Sequence, residues 1–392
     1  MTSVAHQELN PPQRILLGPG PSNVHPKVIQ AMIAPMVGYM DPYFFQVMDE
    51  TMELLRQVFK TGNEVTLPIS GTGSAGMETA VCNVVEAGDT VVVGCHGFFG
   101  ERIAEMASRC GARVVRVEAE WGRAIEPDAI EAALKGHARI KALALVHAET
   151  STGVLQPLSE ASRLAHEQDA LFIVDAVTSL GGIDVDVDGL DIDICYSGTQ
   201  KCLGCPPGLA PVTFSRRAMD VVQKRDTRVV NWYLDMSLIH SYWSSSRVYH
   251  HTPPAPMIYG LHQALRLILE EGLESRFQRH RANGSALQSG LETMGLTLHA
   301  QAGYRLSTLT SVRVPEGVDD VRVRRTLLDR FGIEIGGGLG PLKGRAWRIG
   351  LMGESSTARN VLLLLLALEA VLAEEGFKPR PGAAAAALQH LV

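Results

Sequence analysis

The chain has 392 residues, 46% of them hydrophobic and 20% charged, with a net charge of −6 at pH 7. That length supports a large buried core, and the mild acidity with scattered basic residues excludes an electrostatic footprint for nucleic acid. The longest apolar run, Val361–Leu368, falls far short of the ~18 residues that would span a membrane.

In chain order, residues 1–13 are polar, contain proline and read as an N-terminal arm. They lack the basic and apolar regions of a secretory signal. The six cysteines, Cys82, Cys95, Cys110, Cys195, Cys202 and Cys205, are sparse. Most sit in apolar runs, so buried free thiols and a cytoplasmic location are expected. Cys202 and Cys205 form a C-x-x-C without a second pair, and no metal site is expected.

From residue 65 to 214 short β-branched runs alternate with amphipathic stretches. The runs are Val65–Ile69, Thr90–Gly94, Arg113–Val117, Ile140–His147, Ala170–Val174, Ile192–Ser197 and Ala210–Phe214. Helices are predicted over Ser74–Glu86, Gly100–Cys110, Asp128–Lys135 and Ser159–Gln168. This rhythm predicts an α/β fold, a mostly parallel seven-stranded sheet with helices on both faces. The link into Ala210–Phe214 is too short for a crossover helix, so that strand is expected to pair antiparallel. Beyond residue 255 come helices at Ile258–Glu271 and Leu273–Leu291, then Thr308–Val314 (strand), Val321–Phe331 (helix), Glu334–Gly338, Ala346–Leu351 (strand) and Thr357–Glu375 (helix). These read as a smaller α/β domain over 271–392, after a large domain over 14–270. The tail from Pro379 to Ala387 is low-complexity and reads as frayed or as a short helix.

Ligands of open α/β sheets bind beyond the carboxyl ends of the strands. The first strand there runs into Ser70-Gly71-Thr72-Gly73-Ser74-Ala75-Gly76, where glycines and free amides at a helix start suit an anion. A phosphate cradle and a plain helix-entry turn both fit. A dinucleotide site fits poorly, because Asp89 precedes the next strand instead of ending it. Asp175 closes Ala170–Val174, as a helix cap or as a carboxylate facing a cationic ring nitrogen. Lys201, in Ser197-Gly-Thr-Gln-Lys201, is either a surface lysine or an amine lowered in pKa for attack on an aldehyde. Phe99 offers a ring to stack on a cofactor or to pack in the core. A lysine, an Asp and an anion cradle at neighbouring strand ends are what pyridoxal phosphate requires.

Here the sequence resembles the class V aminotransferases of fold type I, within them the alanine–glyoxylate, serine–glyoxylate and serine–pyruvate group. The motifs are LLGPGPSNV (16–24), SGTGSAGME (70–78), HAETSTGVLQPL (147–158), VDAVTSLGG (174–182), YSGTQK (196–201), YHHTPP (249–254), GGGLGP (336–341) and WRIGLMG (347–353). The resemblance implies pyridoxal 5′-phosphate held as an imine on Lys201, which would also shuttle the substrate's α-proton. Asp175 would pair with the pyridine nitrogen. Thr72, Gly73, Ser74 and Gln200 would hold the phosphate, Phe99 would stack on the ring, and Thr150 would bond on the side of the cofactor's hydroxyl. Tyr249 and Thr252 would reach the partner subunit's cofactor in a homodimer with shared active sites. Arg348 would clamp the substrate carboxylate.

The expected reaction moves an amino group from alanine or serine to glyoxylate, so the partners are small amino acids and 2-oxo acids. A 2-aminoethylphosphonate transaminase and a non-catalytic cofactor-binding module are the alternatives. A cysteine desulfurase would need a cysteine in the small domain, and none follows Cys205.

Overall fold

The computed structural model describes residues 8–391, so the first seven residues of the expected arm lie outside the described residues. Two helices without a counterpart in the sequence reading, α1 (Pro26–Met32) and α2 (Pro42–Phe59), precede the sheet. Local chemistry sets the ends of α2. Asp41 accepts from the Tyr43 amide at 2.8 Å, Pro42 takes the first helical position, and Lys60 closes the helix at φ 55°.

Seven strands then build the main sheet: β1 (Val65–Ser70), β2 (Thr90–Cys95), β3 (Arg113–Glu118), β4 (Ala142–Val146), β5 (Leu171–Asp175), β6 (Ile194–Tyr196) and β7 (Leu209–Phe214). Their spatial order is β1-β7-β6-β5-β4-β2-β3. β7 is antiparallel to both neighbours, as the short link from Tyr196 to Leu209 requires, and the other pairings are parallel. Helices α3 (Gly73–Cys82), α4 (Phe98–Arg109), α5 (Pro127–Lys135) and α6 (Ser159–Glu167) fall between the strands. β4 and β5 are buried along their whole length, which is why they read as unbroken apolar runs. At the sheet edge β3 exposes Arg113, Arg116 and Glu118, charges that discourage pairing with another chain. α3 stops at Cys82, short of the expected Glu86, because Asn83 spends its side chain on the Thr79 and Leu234 carbonyls.

Past the sheet lie α7 (Arg216–Gln223), α8 (Met236–Trp243), α9 (Ala255–Glu271) and α10 (Leu273–Thr293). Then come β8 (Leu309–Arg313), α11 (Asp320–Phe331), β9 (Gly336–Gly337), β10 (Ala346–Gly350), α12 (Ala358–Glu374) and α13 (Ala383–Leu388). β8, β10 and β9 form a small antiparallel sheet. The expected strand Glu334–Gly338 is two pieces, because the chain changes partner: Ile333–Glu334 pairs with Ile15–Leu16, and β9 pairs with β10. The alanine-rich tail is helical, with Ala383 and Ala387 buried.

The apolar residues gather in two main clusters. One surrounds the seven-stranded sheet, from Val28 to Ile268. The other joins Leu17 to residues between Ala286 and Ala387, around Trp347 and the apolar face of α12. No helix among the described residues is long and apolar enough to cross a membrane.

Candidate active site

A cavity of about 150 Å³ opens at the carboxyl ends of the strands. Eight of the residues singled out from the sequence line it: Thr72, Gly73 and Ser74 after β1, Phe99 after β2, Thr150 after β4, Asp175 ending β5, and Gln200 and Lys201 after β6. The sheet order explains the meeting, since β6, β5, β4 and β2 are consecutive neighbours and deliver their loops to one edge.

Lys201 is buried and fixed from two sides. Its Nζ donates to the Pro19 carbonyl. Ser22 donates its amide to Gln200 O and its hydroxyl to Lys201 O, both at 2.9 Å. The LLGPGPSNV motif is thus the clamp on the lysine loop. On the far side the buried Arg276 donates to Cys202 O at 2.7 Å and Gly181 O at 2.8 Å. Burial, assisted by the Arg348 cation, lowers the Lys201 amine to about 8. An amine so placed is neutral in a useful fraction near neutrality.

Asp175 accepts from the Val177 amide and from the Tyr196 hydroxyl, each at 2.9 Å. The helix-cap alternative fails, because a turn and no α-helix follows it. Burial raises its carboxyl to about 6, while the two hydrogen bonds and the Lys201 and Arg102 charges pull the other way. A cation against it would hold it ionised.

At the other end of the cavity α3 begins without a side-chain cap, and its first amides are free to meet an anion. Gln200 Oε1 is buried without a partner among the described residues. The two ends of a carboxamide have the same shape, so Gln200 can offer its NH₂ to the cradle instead. Thr150 shares a 2.5 Å hydrogen bond with Thr178. A nucleophilic amine, a buried carboxylate and an uncapped helix start in one cavity fit the phosphorylated aldehyde that the resemblance implied. The dinucleotide rival loses its acid, because Asp89 sits before β2, at the opposite end of the sheet, 3.4 Å from Lys141.

Arg348 does not line the cavity. It lies on β10, 8% exposed, with Nε bonded to Gly337 O at 2.8 Å. Burial lowers it to about 10, against the pull of the Glu149 carboxylate. Tyr249 and Thr252 also lie outside. They hydrogen-bond to each other at 2.9 Å and are exposed, while the intervening His251 holds Ser70 Oγ at 2.8 Å. The C-x-x-C cysteines are buried free thiols, both pushed up to about 12 by burial.

The sequence reading missed Glu149, which is fully buried beside the cavity. It accepts from Phe99 N at 3.2 Å, Ser151 N at 3.0 Å and Ser151 Oγ at 2.6 Å, and Ser151 Oγ accepts from Phe98 N at 2.9 Å. Together they cap α4, whose own preceding residue, Gly97, has no side chain to do so. A methyl group at Gly97 would lie 2.3 Å from Glu149 Cγ. Burial raises the Glu149 carboxyl to about 7. The signal was the same as for Asp175, an acid at the end of an apolar strand.

Residues 16–343 match the family described as Aminotransferase class-V. The alanine–glyoxylate aminotransferase of Drosophila melanogaster is 40% identical over 92% of this chain and 93% of its own. The crystal structure of ureidoglycine–glyoxylate aminotransferase from Bacillus subtilis superposes with a TM-score of 0.95 at 44% identity, covering 98% of this chain and 99% of that one. The alanine–glyoxylate aminotransferase of Nostoc sp. gives a TM-score of 0.92 at 49% identity, covering 94% and 98%.

Proposed function

Because the chain belongs to the class V aminotransferases, we propose that it transfers an amino group from a small amino acid, alanine or serine, to glyoxylate. The enzyme is a pyridoxal-phosphate-dependent transaminase with the fold type I architecture. The observation that carries the site assignment is the meeting of Lys201, Asp175 and the uncapped start of α3 in one cavity.

When bound, pyridoxal phosphate supplies the electron sink that makes an amino acid's α-proton acidic. In our reading Lys201 would hold the cofactor and, once the donor's amine had released it, its free Nζ would take the proton from the donor's α-carbon. In the second half-reaction the same Nζ returns a proton to the α-carbon of the nascent glycine. Asp175 would pair its carboxylate with the ring nitrogen and so strengthen that sink. The α3 amides, the Thr72 and Ser74 hydroxyls and Gln200 would hold the phosphate, Phe99 would stack on the ring, and Thr150 would bond on the side of its hydroxyl. Arg348 spends Nε on Gly337 and keeps its two terminal nitrogens for the substrate carboxylate.

Tyr249 and Thr252 serve the partner subunit's site in a homodimer. Their exposure supports this, with Tyr39, Tyr43, Trp232, Tyr233 and Val248 exposed on the neighbouring segments. A second donor, (S)-ureidoglycine, is favoured by the likeness to the Bacillus subtilis enzyme.

The test is the visible spectrum of the purified enzyme on adding L-alanine, L-serine or ureidoglycine, followed by glyoxylate. A cofactor band that a donor bleaches and glyoxylate restores identifies both half-reactions. A band that none of the three donors changes would overturn the donor assignment.

A further inference from the structure

One cation of the cavity wall has no part in that reading. Arg102 lies on α4, three residues beyond Phe99. Its guanidinium carbon sits 5.0 Å from the centroid of the Phe98 ring and 5.1 Å from that of Phe99. Nη1 donates to Ser74 Oγ, in the first turn of α3, at 3.1 Å. Arg102 therefore spans the aromatic wall and the phosphate cradle.

Among the described residues no carboxylate forms an ion pair with it. Arg102 and Ser74 also line an adjoining surface pocket that contains Glu78 and Glu105. Both acids are engaged elsewhere: Glu105 with Arg109 at 2.7 Å and Glu78 with the Asn231 amide at 3.0 Å.

The charge inventory of the cavity gives the cation a task. Three charged side chains line it, Arg102, Asp175 and Lys201. Asp175 belongs to the ring nitrogen, and Lys201 must give up its proton to attack an aldehyde. A phosphate monoester carries about −1.5 to −2 charges at pH 7, while a helix N-terminus offers roughly half a positive charge. Thr72, Ser74 and Gln200 add donors without charge.

Resting on the cofactor reading above, we propose that Arg102 is a binding residue for the cofactor phosphate, the cation that completes the cradle from within the same chain. Its stacking on Phe98 and Phe99 limits the directions the guanidinium can take and lowers the ordering cost of binding. The Ser74 hydroxyl holds it toward the start of α3.

The test separates the phosphate from the ring. Wild type, Arg102→Gln and Arg102→Lys are stripped of cofactor, checked for fold by circular dichroism, and titrated with pyridoxal 5′-phosphate and with pyridoxal, which lacks the phosphate. Arg102→Gln is expected to weaken pyridoxal phosphate binding by ten- to a hundredfold and to leave pyridoxal within twofold. Arg102→Lys, a point charge without the planar fork, should fall between. Inorganic phosphate should compete with pyridoxal phosphate on wild type and lose most of that competition on Arg102→Gln. Equal weakening of both aldehydes would overturn the proposal and reduce Arg102 to a brace for Phe99, and unchanged affinity for both would overturn it too. Wild-type protein that bound neither aldehyde would sink the cofactor reading itself, a separate result.

Discussion

Gly20 and Lys201 are so closely packed that a methyl group on Gly20 would lie 2.7 Å from Lys201 Nζ, and Gly20 holds a φ of +112° that side chains rarely adopt. The Lys201 amine is positioned by a residue 181 places earlier whose contribution is to have no side chain.

Gly20→Ala should therefore displace the amine. Covalent attachment of pyridoxal phosphate is expected to slow by roughly a hundredfold, the scale on which a misplacement of about 1 Å acts. Gly303→Ala is the control, with φ +86° and nothing within 4 Å. It should cost about 1 kcal/mol of stability through the backbone alone and leave attachment unchanged. Stopped-flow absorbance on the two cofactor-free variants reads the difference, and equal rates would refute the clamp.

The rate of attachment should also report the lysine's protonation. The neutral amine attacks, and burial brings Lys201 from 10.5 to about 8. At fixed cofactor the rate should climb about tenfold per pH unit below that value and level off above it. A profile still rising steeply at pH 9.5 would mean an unperturbed lysine.

Glu149 gives a stability prediction whose sign follows from proton uptake. Its folded value, about 7, exceeds its ordinary 4.5, so between those values the folded state binds more protons than the unfolded one. Stability from this group is then lost as pH rises from about 4.5 to about 7. Asp175, raised from 3.8 to about 6, acts in the same direction. Glu149→Gln should flatten the pH dependence of the cofactor-free protein's melting temperature in that window relative to wild type. If the two curves stay parallel, Glu149 is ionised throughout.

The proposed sharing of sites between subunits predicts complementation. Lys201→Ala and Thr252→Ala should each be nearly inactive alone. Refolded together in equal amounts, half the dimers are mixed and each holds one intact site, so roughly a quarter of wild-type activity should return. No recovery in the mixture would place Tyr249 and Thr252 outside the partner's site.

Much of this architecture is legible in the sequence because the sheet is covered on both faces. β4 and β5 read as apolar runs without alternation, and the acid or lysine following such a run stands out. Lys201, Asp175 and the glycine turn before α3 were visible for that reason. α1 and α2 were not, since their capping residues His25 and Asp41 lie in a stretch without strands to set the rhythm. Glu149 was overlooked within a motif read for Thr150. Arg102 looks like any helix-surface arginine until Phe98, Phe99 and Ser74 are brought around it. Arg348, Tyr249 and Thr252 drew attention through family resemblance alone, and within one chain none of them reaches the cavity.

The pairing of Ile15–Leu16 with Ile333–Glu334, continued by the Gly350 amide donating to the Leu17 carbonyl at 2.8 Å, orders events during synthesis. The clamp is made first and the lysine loop at mid-chain, but the strands that anchor the clamp emerge more than 300 residues after the clamp itself. The sheet can assemble on the nascent chain, as early segments generally do, while Lys201 still lacks its finished surroundings. A polypeptide truncated before Ile333 would therefore carry the lysine and its clamp without the strand that anchors that clamp.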